Sequence, residues 1–277
     1  WEAGQTDNVT GVVYMGQAAG SRGTGNYCVF LGMESGGGVN TEVGTVAVGY
    51  QSLKALTSGA NNTSVGYKAV ASLTTGAGNT VLGYEALDAA NAGESSNVAI
   101  GYGSMGAVDE TVNNHASYVH SADHNIAIGE NSLTGGALGG GDMNDTTTRR
   151  LNYNIAIGSN TLNSTGQNAS IGQIAIGHDA LTALTTGDGT TAVGYNAGAS
   201  ITDGQRNTIL GYEAGDGFDS EDYNVLVGYR AGGGSINGAN KCVGIGSYSL
   251  WSAATQDGTV AIGDNALAAL TSGASNT

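Results

Sequence analysis

The chain has 277 residues, with 49 glycines, no proline and 40% apolar residues, so it is neither collagen-like nor a disordered tail. Its formal net charge of −15, from 8 basic and 23 acidic residues, opposes binding to nucleic acid, whose phosphates select a basic face. No run approaches the roughly 20 apolar residues of a membrane helix, and no basic-then-apolar leader opens the chain, which starts at Trp1 and is expected to be processed or a fragment.

Taken in order, short apolar runs recur along the chain, each ended by a glycine. These glycines are Gly16, Gly32, Gly49, Gly66, Gly83, Gly101, Gly129, Gly158, Gly177, Gly194, Gly211, Gly228, Gly246 and Gly263. Their intervals are 16, 17, 17, 17, 18, 28, 29, 19, 17, 17, 17, 18 and 17, so one unit of about 17 residues repeats. A fixed period of this size is the mark of a solenoid, in which each rung buries its apolar side chains only against its neighbours.

The columns of the repeat have physical meanings. A large apolar residue stands one before the glycine (Val48, Val65, Ile128, Leu210) and a β-branched residue three before it (Val46, Thr63, Ile155, Val260). Two residues apart in a strand is one face, so these columns are expected to line the core. Between them lies a small residue, such as Ala47, Ser64, Ala99, Ala127 and Ala175. Four before the glycine stands Asn62, Asn79, Asn97, Asn125, Asn154, Asn207 or Asn224, predicting an amide ladder from rung to rung. That ladder accounts for the recurrent Asn-x-Ser/Thr pattern better than glycosylation does. Tyrosines follow the glycine in two runs, Tyr50, Tyr67, Tyr84 and Tyr102, then Tyr195, Tyr212 and Tyr229. They form either a sugar-binding strip or a packed column, and their recurrence favours packing. A small residue comes three after the glycine, then Leu or Gly, and LTSG or LTTG segments turn the chain. Each rung is therefore read as about two short strands and two turns. At about 4.8 Å per rung, the repeat array 1–277 is expected to be a rod on the order of 65 Å long.

The runs SNVAIGYGS (96–104), HNIAIGENSL (124–133), YNIAIGSNTL (153–162) and GTVAIGDNAL (258–267) resemble the head repeat of trimeric autotransporter adhesins. NTILGYEAG and NVLVGYRAG are similar to repeats of bacteriophage tail fibres and related trimeric fibre proteins. The resemblance runs from about Val12 to the end and implies an all-β, trimeric, left-handed parallel β-roll used in surface adhesion. The rung of 17 is longer than the common adhesin head repeat, so each rung is expected to carry an extra loop. Asn276-Thr277 aligns with Asn62-Thr63, so the chain stops in mid-rung and is read as a piece of a longer fibre.

The two long intervals place insertions near 105–123 and 134–153, and loops on a rigid scaffold are where recognition tends to sit. The candidate receptor-binding residues are accordingly His115, Tyr118, His120, His124, Arg149 and Arg150. The three histidines lie beside Asp109, Glu110 and Asp123, but their spacing fits no zinc signature, so no metal or cofactor is expected. Arg149 and Arg150 either contact acidic sugars or pair locally with Asp142 and Asp145, the second being favoured. GYGSMG (101–106) matches GxGxxG but falls in register with the rung, without the helix that nucleotide binding needs. The other acidic residues are scattered singly and read as solvated surface. Cys28 and Cys242 share the column of the asparagines, on the order of 50 Å apart by rung count, too far to bridge within one chain.

These readings converge on a structural and adhesive fibre segment without catalysis. Its expected setting is a phage tail fibre or related virion fibre, with a bacterial trimeric surface adhesin as the alternative. Its expected partners are two further copies of itself, other fibre or virion proteins, and a host-surface glycan or protein, with no nucleic acid and no membrane insertion. An ice- or calcium-binding solenoid would need a flat Thr-x-Thr array or the GGxGxD nonapeptide, and neither is present.

Overall fold

A computed structural model describes residues 10–21, 25–38, 43–91, 93–108, 121–135, 150–165, 170–234, 238–251 and 257–270. The described residues contain strands and turns and no helix. The chain divides into two compact units, Trp1–Asn152 and Tyr153–Thr277, the boundary falling at the end of the second insertion.

The first unit stacks β1 (Val13–Met15), β2 (Val29–Leu31), β3 (Val46–Val48), β4 (Thr63–Val65), β5 (Thr80–Leu82), β6 (Val98–Ile100) and β7 (Ile126–Ile128), and ends in the two-residue β8 (Leu151–Asn152). Consecutive strands from β1 to β7 pair in parallel with equivalent residues opposed, Val46 with Thr63, Thr63 with Thr80 and Thr80 with Val98. The second unit contains β9 (Ile155–Ile157), β10 (Ser170–Ile171), β11 (Ile174–Ile176), β12 (Gly187–Asp188), β13 (Thr191–Val193), β14 (Thr208–Leu210), β15 (Val225–Val227), β16 (Val243–Ile245) and β17 (Val260–Ile262). The three-residue strands repeat the same register, Thr191 opposing Thr208 and Thr208 opposing Val225, while β10 pairs separately with β12. Both units are therefore parallel β-solenoids whose rungs are the repeats of the sequence.

Two expectations change. Among the described residues most rungs have one three-residue strand rather than two; the rungs of β9, β11 and β13 do have a second, two-residue strand, β8, β10 and β12. The rest of the rung turns, because left-handed residues recur two and four places after the glycine: Lys68 (φ 51°) and Val70 (φ 55°), then Glu85 (φ 49°) and Leu87 (φ 50°). Single left-handed residues end extended structure. The turns still bond to the next rung, as Leu53 N–H to the Ala69 carbonyl (3.1 Å) and Thr57 N–H to the Thr74 carbonyl (2.8 Å).

The core lies on the opposite strand face from the one expected. Ala47, Ser64, Val81, Ala99 and Ala127, the middle residues of their strands, are buried, while the flanking columns are partly or fully exposed. A rung of 17 residues encloses little volume, so the inward column must be small. It shares the interior with Leu53, Leu56, Leu73 and Leu87, all completely buried.

Size complementarity explains the alternation of Leu and Gly four places after the glycine. In most rungs an inward Ala has a large partner, Ala47 with Leu53, Ala99 with Met105, Ala127 with Leu133 and Ala175 with Leu181, and a larger inward residue has glycine, Phe30 with Gly36, Ile209 with Gly215 and Leu226 with Gly232. Val81 with Leu87 and Ala192 with Gly198 depart from this, the space at Gly198 being filled by Leu181, Ile201 and Ile209. A Cβ on Gly36 would lie 2.7 Å from the Phe30 ring, and one on Gly215 would lie 2.9 Å from Ile209 Cδ1. Close packing at constant rung volume demands this exchange.

The asparagine ladder forms, though in a different pattern. Asn79 Nδ2 donates to Asn62 Oδ1 (3.0 Å) and Asn125 Nδ2 to Asn97 Oδ1 (3.1 Å), but the bonds repeated in more rungs run to backbone. Each Oδ1 accepts the N–H of the equivalent residue in the next rung: Asn79 to Asn62 (2.9 Å), Asn97 to Asn79 (3.0 Å), Asn125 to Asn97 (2.9 Å) and Asn224 to Asn207 (2.8 Å). The side-chain nitrogen donates to a turn carbonyl, as Asn62 to Gly76 (2.8 Å), Asn79 to Glu94 (2.8 Å) and Asn207 to Glu221 (2.7 Å). The amide thus satisfies backbone groups that the turns would leave buried and unpaired. Asn62 and Asn79 are almost wholly buried, which rules them out as glycan acceptors in the folded chain.

Candidate functional site

Turning the strand face outward gives each unit an apolar strip. In the first it comprises the first and third residues of β1 to β7, with Val13, Met15 and Leu82 exposed and Val46, Val48, Ile100, Ile126 and Ile128 partly exposed. In the second the same columns run through Ile155, Ile157, Ile174 and Ile176 to the exposed Leu210, Ile245 and Ile262. Successive strands of a sheet lie about 4.8 Å apart, so the third-residue column is apolar without a break along each unit, while Thr63, Thr80, Thr191 and Thr208 interrupt the first-residue column. Apolar surface arranged as an unbroken strip on paired strands marks an interaction site, unlike singly scattered exposed residues.

A tyrosine ladder borders each strip across the glycine column. Tyr50, Tyr67, Tyr84 and Tyr102 stack with ring centroids 5.2, 5.0 and 5.2 Å apart and planes within 21°. In the second unit His178, Tyr195, Tyr212 and Tyr229 stack at 5.4, 5.0 and 5.6 Å. Within each ladder the ring faces cover one another, and what remains exposed is their edges. The ladders are stacked from rung to rung and stand at the surface, Tyr67, Tyr84, Tyr102, Tyr195, Tyr212 and Tyr229 all being exposed.

Of the sequence-based candidates, His115, Tyr118, His120 and Arg149 lie outside the described residues, as do Asp142 and Asp145. His124 is exposed in a left-handed conformation (φ 60°), its N–H bonded to the Ser95 carbonyl (3.1 Å). Arg150 is exposed and bridges Ser121 in parallel, which puts these two candidates on adjoining segments. Among the described residues no group of three His, Cys, Asp or Glu is placed to hold a metal ion. Neither cysteine forms a disulfide, and both are buried in the asparagine column as expected.

Two carboxylates depart from the solvated-surface reading. Glu94 and Glu221 are buried seven places before their rung glycines. Glu221 can be buried because it caps a turn: Oε2 accepts the N–H groups of Asp219 (2.8 Å) and Ser220 (3.1 Å), and Oε1 accepts that of Gly238 (2.7 Å).

Sequence reasoning also missed a second, outer ladder six places before the glycine. There Ser95 N–H donates to Asp123 Oδ1 (2.8 Å), Asp123 N–H to Asn152 Oδ1 (2.8 Å), Gln205 N–H to Asp222 Oδ1 (2.7 Å), Asp222 N–H to Asn240 Oδ1 (2.6 Å) and Asn240 N–H to Asp257 Oδ1 (2.8 Å). The signal was available as recurrent Asp, Asn and Ser at one register position. Acidic residues in this column bind backbone N–H groups and do not form a face for cations.

Compared with models of protein families, with curated proteins and with solved structures, the chain matches none of them.

Proposed function

We propose that the chain is a structural and adhesive segment of a homotrimeric fibre, a phage tail fibre or related virion fibre that attaches to a host surface. The observation that carries this reading is the outward apolar strip. The third residue of the strand is Val, Ile, Leu or Met in every rung, and the first is Val, Ile or Thr, where a monomeric solenoid would gain solubility from charged residues. Two further copies, related by a three-fold axis along the rungs, would place the strips against one another and form the hydrophobic centre that a thin rung lacks. The strand supports the same reading, because its middle residue faces the rung interior while its two outer residues, largely Val, Ile and Leu, remain for contacts between chains. Attachment then profits from three copies of any binding site on one particle.

Sedimentation equilibrium at micromolar concentration is expected to return three chains per particle. A monomer across the concentration range would overturn the trimer. Attachment is a separate measurement, the retention of labelled protein on a panel of bacterial cells; retention on none of them would remove the adhesive part.

A further inference from the structure

The second tyrosine ladder ends at Tyr229. The next rung has Ser247 in the tyrosine column, and its aromatic side chains move to Tyr248 and Trp251, two and five places after Gly246. The change of column changes the geometry. Tyr229 and Tyr248 meet at 80° with centroids 5.3 Å apart, and Tyr248 and Trp251 meet at 79° and 5.2 Å. Perpendicular rings make a corner in which Tyr248 and Trp251 are each partly exposed. In the rung before, the column of Trp251 holds Gly233, on which a Cβ would lie 2.8 Å from indole Cζ3, so the ring rests on bare backbone.

The corner has a polar rim. Arg230 lies over the Tyr229 ring (5.4 Å) and the Trp251 ring (5.8 Å), and its Nε and Nη2 both reach Glu213 Oε2 at 2.5 Å. Tyr212 stacks on Tyr229 with centroids 5.6 Å apart. Six side chains from three successive rungs form one network, held by paired charges and stacked rings before any ligand arrives.

We propose that this corner is a binding site for a neutral hexopyranose, the contact through which the attachment reading above, on which it rests, engages a glycan. The apolar face of a pyranose ring suits an indole face, and a carboxylate beside a guanidinium offers acceptor and donor together to vicinal hydroxyls. Neutral sugar is favoured over acidic sugar because Arg230 is already paired with Glu213 and the chain carries a net charge of −15. Tryptophan occurs twice in the sequence, at Trp1 and here, where the repeat is broken.

The test uses the full chain with the methyl glycosides of glucose, galactose and N-acetylglucosamine, and sodium glucuronate as the acidic comparator, read by saturation-transfer NMR. At least one neutral glycoside is expected to bind with a Kd on the order of millimolar, typical of a single exposed sugar site. Trp251→Ala is expected to weaken it about tenfold or more, Trp251→Phe to keep most of it, and Arg230→Lys, which breaks the two-pronged pairing, to weaken it severalfold. Tyr84→Ala in the first ladder should leave binding unchanged, and circular dichroism checks that each variant folds. Absence of neutral-sugar binding, preference for glucuronate, or equal binding by Trp251→Ala would each overturn the site. A sugar-binding monomer would sink the trimer and keep this corner. A trimer retained on cells without sugar binding would sink the corner and keep the fibre.

Discussion

At the scale of single residues, the stability of a rung rests on one buried column. Asn79 binds Asn62 Oδ1 and the Glu94 carbonyl through its amide nitrogen and accepts Asn97 N–H on its oxygen. Asn79→Ala would strand the Glu94 carbonyl and the Asn97 N–H in the interior, while Asn62 Oδ1 keeps the backbone N–H of residue 79, and is expected to cost about 3 kcal/mol, measured by denaturant unfolding. The same column contains the opposite case. Thr45 is buried and its hydroxyl has no partner, so Thr45→Val, equal in shape, is expected to stabilise by about 1 kcal/mol. If both substitutions shifted stability in the same direction, hydrogen bonding would not be what the column selects. Asp88 gives a pH-dependent case. Its carboxyl is held above the usual range, first by burial and then by the charge of Glu85. A raised carboxyl takes up its proton more readily in the folded chain, so its contribution is complete below the unfolded pKa and is lost as pH rises through the folded value. Asp88→Asn should therefore stabilise by about 0.5 kcal/mol near pH 7. The gain should fade as pH drops towards about 4, the ordinary range of the carboxyl. Thermal melts at the two pH values check this, and an equal gain at both would rule out ionisation as the cause.

At the scale of the rung, close stacking of backbone decides which residues are allowed. A Cβ on Gly83 would collide with the carbonyl oxygen of Gly101, and its φ of 155° is itself unfavourable for a side chain. Gly83→Ala is accordingly expected to cost about 3 kcal/mol or more and to split the first unit at that rung. Hydrogen exchange would then show protection retained in rungs on one side and lost on the other; uniform protection would show that the stack tolerates the side chain. The rung was legible in the sequence because glycine, asparagine and the apolar pair recur at fixed offsets, and each offset has one physical use. The facing of the strand was not legible. Alternation shows that Val46 and Val48 share a face opposite Ala47, yet not which face is inside, and the usual rule of large side chains inward fails when 17 residues enclose too little room. The exchange of Phe30 with Gly36 against Ala47 with Leu53 was the signal that could have settled it, since only inward residues need to compensate one another's volume. The aromatic corner was missed for a different reason. Tyr248 and Trp251 are outliers to the columns, and a reading built on recurrence weights the insertions and passes over a shift of one place within one rung.

At the scale of the whole molecule, the proposed fibre would assemble through the outward strips. Leu82 in the first unit is 49% exposed and Leu210 in the second is 48% exposed, so neither supports its own rung. A lysine at either position reaches solvent in an isolated chain and leaves the inward column, the asparagine ladder and the glycine stack untouched. In an assembled particle the same lysine would sit among aliphatic side chains of neighbouring copies. Burying a leucine there is worth about 1.5–3 kcal/mol, and an unpaired ammonium group reverses that gain and adds the loss of its hydration. Leu82→Lys with Leu210→Lys, counted once in each of three chains, is therefore expected to weaken association by far more than a thousandfold, since each 1.4 kcal/mol is a factor of ten. The expected result is a particle of one chain by sedimentation equilibrium, with the β circular dichroism of the parent chain and a melting temperature that no longer rises with protein concentration. Loss of the β signal would mean that the leucines serve the rung itself. An unchanged trimer would mean that the chains meet elsewhere than on the strip.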